Sequence, residues 1–106
     1  MSLSEPLLLA KYKRNDDWPK VRRLHLKLNP QCAVCGATKR LAAHHIKPYQ
    51  WHSELEMEPS NLITLCPLHH LFIGHLMRWS SYNENVVEDA KYWNKRIKER
   101  PKWHNR

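Results

Sequence analysis

Cys32-Ala33-Val34-Cys35-Gly36, Ala43-His44-His45-Ile46 and Asn61-Leu62-Ile63-Thr64-Leu65-Cys66-Pro67-Leu68-His69-His70 are the stretches on which the fold turns. Cys32-x-x-Cys35 is followed, after thirty intervening residues, by Cys66-x-x-His69. A two-residue gap lets both side chains of a pair turn towards one ion, so the two pairs together offer four soft ligands in a tetrahedron. Gly36 permits the tight turn such a knuckle needs. Three cysteines cannot form a disulfide framework without a leftover, and the pairing uses every cysteine in the chain. Four protein ligands leave no open position, so the expected ion is a structural Zn²⁺.

The knuckle leaves His44, His45 and His70 unexplained. Residues 40–46 read as a short strand and Leu62–Leu65 as a second, with β-branched Ile63 and Thr64. Neighbours on a regular strand face opposite ways, so His44 and His45 cannot both face one ion there; a strand end leading into a loop relaxes this, but the simpler reading has one ligate and leaves the other free to act on a proton. Pro67 can open a helix carrying His69, His70, Phe72, Ile73 and Leu76, although Gly74 weakens its interior. His70 in its first turn can meet the strand from across the fold. The order expected for the chain is helix, knuckle, two strands, helix, helix.

Taken together, Cys32-x-x-Cys35, Ala43-His44-His45-Ile46-x-Pro48, Asn61 to Cys66, and His69-His70 resemble the HNH endonucleases, across roughly residues 31–75. The resemblance implies an α+β fold, a ββα-metal (His-Me finger) core with a structural zinc and flanking helices. It implies that His45 is the general base, an imidazole with an unperturbed pKa of about 6.5 suiting that task. His44 and His70 would hold one catalytic divalent ion, and Asn61 would pin the loop between the strands so that His45 is aimed. The products would carry a 5′ phosphate and a 3′ hydroxyl. Many members have Asp where His44 stands. Imidazole favours softer ions over Mg²⁺, so Mn²⁺, Ni²⁺, Zn²⁺, Co²⁺ and Mg²⁺ all stay open. Many also have Cys at the place of His69, so its assignment to zinc, with His70 to catalysis, rests on register and the two could exchange. His75 is a third candidate ligand, the alternatives being a phosphate contact or a hydrogen-bonded helix residue. Five residues from His70 it lies about 140° around a regular helix, which a bulge at Gly74 could correct.

Working outward, Asp16-Asp17 offers an N-cap and Pro19 a first turn for a helix over about 17–29, with Trp18, Val21, Leu24 or His25, and Leu28 on one face. A last helix over about 85–100 places Val86, Ala90, Trp93 and Ile97 together. Trp18 and Trp93 read as core. The 15-residue loop from Lys47 to Asn61 is long enough to be functional. In it Trp51 is a base-stacking platform or a cover for the zinc, and Glu54, Glu56 and Glu58 read as a solvated cluster. His25, His52 and His104 have no partner motif and read as ordinary surface or core residues.

Eighteen Lys and Arg against ten Asp and Glu give a net charge of +8. Seven basic residues lie in 1–30 and seven in 82–106, flanking a nearly neutral centre that holds all three Cys and six of the eight His. Basic arms around a metal-rich centre suit DNA. Lys47, Arg78, Arg22 and Arg23 are the phosphate contacts expected first. At 106 residues the chain reads as one domain, 1–106, with its core at about 31–79. No apolar run reaches the ~18 residues of a membrane span, and the N-terminus lacks the basic start of a signal peptide, so a cytoplasmic location is expected.

The function expected is a metal-dependent DNA endonuclease of low sequence specificity, acting as a monomer or weak dimer. Small members of the family often lie near phage packaging genes, which makes a terminase-linked role imaginable. The alternatives are a non-catalytic zinc module that binds nucleic acid, which leaves His45 and Asn61 without a role, and an accessory subunit that needs a partner.

Overall fold

The computed structural model describes residues 14–100; His104 lies outside them. Helix α1 (Arg14–Leu28) leads into the Cys32–Cys35 knuckle. Strands β1 (Ala42–His45) and β2 (Leu62–Leu65) form an antiparallel pair with Ala42 opposite Leu65 and His45 opposite Leu62. One helical turn, α2 (Pro67–His69), passes directly into a π-helical turn over His70–Gly74, and α3 (Val86–Lys98) closes the described chain. The order of elements and the two-stranded, helix-flanked architecture are those of a ββα-metal fold.

Three boundaries differ from the sequence reading, each for a local reason. The first helix begins at Arg14, with Pro19 inside it rather than in its first turn. Proline forfeits one N–H there, but its fixed φ is already helical. The first strand is shorter than 40–46 because Arg40 has φ +55°, a left-handed conformation that cannot extend a strand. The metal-side helix does not reach Leu76. It ends at Gly74, and Leu76 and Met77 have φ +52° and +76°.

The core is small: Cys32, Val34, Leu65, Cys66, Val86 and Ala90, with Leu41, Ile46, Ile63, Ile73 and Ile97 partly buried around them. His44 is among the largest fully buried side chains. On α1 the inward face includes Trp18, Val21 and His25; of the two candidates for that place Leu24 is the exposed one, and Leu28 is exposed against expectation. His25 replaces Leu24 inside because it has a polar partner there. Thr64 Oγ1 donates to the Asn29 carbonyl (2.9 Å), so His25 Nε2–H donates to Thr64 Oγ1 (2.9 Å) and clamps α1 to β2. On α3 Val86 and Ala90 are buried, whereas Trp93 is exposed rather than core. The face turns towards the knuckle through Asn94, whose Nδ2 donates to the Val34 carbonyl (3.0 Å), and this leaves Trp93 at its edge.

Candidate metal centres and the strand that joins them

The hairpin and the turn after it bring the histidines and cysteines into two clusters. In the first, Cys32, Cys35, Cys66 and His69 place their ligand atoms within 4.8 Å of one another. Cys35 Sγ is 3.8 Å from Cys66 Sγ, and His69 Nδ1 is 3.8 Å from Cys32 Sγ and 3.3 Å from Cys66 Sγ. A tetrahedral zinc with bonds of about 2.3 Å to sulfur sets edges of roughly 3.5–3.8 Å, so the donor set fits that ion. The knuckle backbone is built for it. Gly36, at φ +79°, returns the chain so that its N–H donates to the Cys32 carbonyl (2.9 Å), and the Val34 N–H points at Cys32 Sγ (3.4 Å). Burial and the thiols of Cys32 and Cys66 push Cys35 up to about 11. A cation at the centre of the group reverses that penalty.

His44, His70 and His75 form the second cluster, again within 4.8 Å. The π turn makes it. The His75 N–H donates to the His70 carbonyl five residues back (3.1 Å), and residues that a regular helix would splay apart come together. His75 Nε2 then lies 3.2 Å from His70 Nε2. His75 Nδ1–H donates to the Ser81 carbonyl (2.8 Å), which leaves its Nε2 lone pair facing the cluster, the usual outer support of a metal-binding imidazole. His44 Nε2 is buried and has no hydrogen-bond partner. Burial, then His70, His75 and His45, push His44 down to about 3; burial and His75 push His70 down to about 4. Both rings are therefore neutral near pH 7, with lone pairs to give. An orphaned nitrogen, a 3.2 Å pair and a neutral donor set all fit a divalent ion.

Aromatic rings wall this cluster. Tyr82 stacks on His44 (5.4 Å, 20°) and meets His75 edge-on (4.5 Å), while Trp79 packs against His70 and His75 at about 5 Å. Asn83 ties the wall to α3: its Nδ2 donates to the Ile73 carbonyl (2.9 Å) and to Asp89 Oδ2 (2.7 Å). None of these three was singled out in the sequence, because a Trp, a Tyr and an Asn in a helix-breaking segment carry no spacing signal.

His45, next along β1, faces the other way. Its Nε2 lies 2.9 Å from the Glu56 carbonyl, which can only accept, so Nε2 carries the proton and the lone pair is on Nδ1. Trp18 stacks on the ring at 4.6 Å and 30°. That is where the expected core tryptophan goes: it is half-buried against His45. Glu56 itself is buried, not solvated as the cluster reading had it, because the loop folds back over His45; Glu54 and Glu58 remain exposed. Asn61 closes that loop. Its Oδ1 accepts from the Lys47 N–H (2.9 Å), and its Nδ2 donates to the Lys47 and Leu55 carbonyls (3.1 and 3.2 Å).

A groove of about 260 Å³ is lined by Trp18, Arg22, His44, His45, His70 and His75 together. Arg22 thus stands at its edge, with Nη2 3.4 Å from the Leu41 carbonyl. Arg23, Lys47 and Arg78 are exposed, Arg78 just past the π turn with its N–H on the His75 carbonyl (3.1 Å). No helix among the described residues is long and apolar enough to cross a membrane. Residues 32–77 match a family model described as HNH endonuclease. No curated protein and no solved structure matches the chain.

Proposed function

Residues 32–77 belong to the HNH endonuclease family, a family of metal-using, nuclease-type hydrolases that act on nucleic acid, and from that premise we propose that this chain is a DNA endonuclease working with one catalytic ion and with His45 as its general base. One observation carries the reading: adjacent residues of one strand face different surroundings. His44 turns into a three-imidazole cluster, and His45 turns to a carbonyl that fixes its tautomer.

His44, His70 and His75 would hold the ion. When bound, it supplies Lewis-acid stabilisation of charge on the phosphate and the leaving oxygen. The Cys32, Cys35, Cys66 and His69 group would hold zinc as a structural staple. Among the chain's own groups, the Glu56 carbonyl holds His45 Nε2–H, so Nδ1 accepts the proton of the attacking water. The water oxygen bonds to phosphorus, the bond from phosphorus to O3′ breaks, O3′ takes up a proton from solvent, and a 5′ phosphate and a 3′ hydroxyl remain. The face of Trp18 against His45 favours the imidazolium formed in that step. Asn61 keeps the loop that carries Glu56 in place, so it is a positioning residue. Arg22 at the groove and the exposed Lys47, Arg23 and Arg78 would neutralise backbone phosphates, with a salt-dependent affinity in consequence.

The test is nicking of supercoiled plasmid by wild type and His45→Ala, stripped of loosely bound metal and supplied singly with Mg²⁺, Mn²⁺, Co²⁺, Ni²⁺ or Zn²⁺. Metal-dependent nicking lost in a folded, DNA-binding mutant supports the reading. Equal activity of the two proteins overturns the assignment of the base, and equal inactivity with DNA still bound favours a non-catalytic zinc module.

A further inference from the structure

A second recess, of about 460 Å³, opens beside the groove that holds the histidine cluster. Its walls include Lys47, Trp51, His52, Tyr82 and Glu84. Tyr82 belongs to both spaces: it lines the histidine groove and stacks on His44, and it also lines this recess. Anything seated here is therefore one ring away from His44. The volume lies within the range of about 300–1,000 Å³ of small-ligand sites.

The chemistry of the walls is selective. Trp51 is 67% exposed, on a loop held by backbone bonds from its own N–H and that of His52 to the Pro48 carbonyl (3.2 and 3.0 Å). A solvent-facing indole that shares a recess with a tyrosine offers a stacking surface for a flat heterocycle. Glu84 sets an exposed carboxylate on the wall and Lys47 an exposed cation. A carboxylate only accepts hydrogen bonds, so it suits an edge rich in N–H donors. Guanine offers two adjacent ones, N1–H and N2–H. Thymine offers a single N–H between two carbonyls that a carboxylate repels.

We propose that this recess is a subsite for one unstacked nucleobase of the strand being cut, the base neighbouring the scissile phosphate, with guanine its best occupant and thymine its worst. It rests on the nuclease reading above and extends it to the form of the substrate. A base can enter only after leaving its stack, so single-stranded, frayed or mismatched DNA binds better than a perfect duplex.

The test uses the full chain carrying His45→Ala, which binds without cutting, and fluorescein-labelled single-stranded oligonucleotides read by anisotropy. An abasic residue is walked through the oligonucleotide. One position should weaken binding about 5- to 150-fold, the range of one base–aromatic stack. Trp51→Ala in the same background should erase that position's effect, and Glu84→Gln should narrow the preference for guanine over thymine there. Trp51 is exposed, so its loss leaves the fold intact, as circular dichroism would verify. A flat abasic scan with DNA still bound overturns the subsite and leaves the nuclease reading standing. Equal weakening by Trp51→Ala of every oligonucleotide, abasic or not, also overturns it. A positive scan in a protein whose wild type nicks no plasmid keeps the base subsite and retires the nuclease.

Discussion

The imidazole of His44 rests against the bare Cα of Gly74: a Cβ placed there would stand 3.0 Å from Cε1 and 3.1 Å from Nε2 of His44. The glycine is thus a space requirement of the histidine cluster, not a weak spot in a helix. Gly74→Ala should fold with its zinc group intact but displace His44. Affinity for Ni²⁺ or Mn²⁺ at the three histidines, measured by calorimetry, should fall tenfold or more, in line with losses of outer support at metal sites. Unchanged affinity would show that the ring can move aside.

Zinc removal should have a larger effect than any single core substitution. The core is a handful of small and medium side chains, and two of its members, Cys32 and Cys66, are themselves in the zinc group. Structural zinc contributes on the order of 10 kcal/mol of apparent binding free energy, comparable to the whole stability of a small domain. A strong chelator should abolish the cooperative thermal transition, with re-addition of Zn²⁺ restoring it. A transition that survives chelation would mean the core stands alone.

Acid should destabilise the fold through His44 and His70. Burial lowers both in the folded state, to about 3 and about 4, whereas unfolded histidine titrates near 6.5. The unfolded chain therefore binds more protons between those values, and stability falls as the pH drops below about 6.5. His44 alone should account for on the order of 2 kcal/mol between pH 7.5 and pH 5. Urea midpoints of wild type and His44→Gln at the two pH values give the difference; zinc loss affects both proteins and cancels. Parallel pH dependence would place the effect elsewhere.

Trp18 should act on rate and not on binding. Its face stacks on His45 at 4.6 Å, so on the proposed mechanism it lies next to the imidazolium that would form. Trp18→Ala should lower kcat about 3- to 30-fold with KM little changed, from the loss of one ring–cation contact. Trp18→Phe should recover most of the loss. A rise in KM alone would make Trp18 a substrate contact.

The cysteine spacing, the two strands and the adjacent histidines were legible because short-range geometry sets them: a two-residue gap and a period of two leave few other arrangements. What escaped depends on contacts between distant residues. Leu24 and His25 compete for one face of α1, and Thr64, 39 positions on, decides for His25. The sequence points to the π turn only as a possible bulge at Gly74, since nothing local distinguishes five-residue closure from four. Glu56 looks like its neighbours Glu54 and Glu58, yet the fold of the loop over His45 buries it. Trp79 and Tyr82 became walls of the cluster only once the chain turned back after His75.

Asn61 holds the ends of its loop at Lys47 and Leu55, and the Ile46 N–H meets its own carbonyl (2.8 Å). The stretch from Pro48 to Glu54 hangs from a closed neck, as a cassette hangs from its frame. A change within that stretch therefore has a short route to solvent and a long one to the strands, because the neck, not the hanging residues, carries the bonds to β1 and β2.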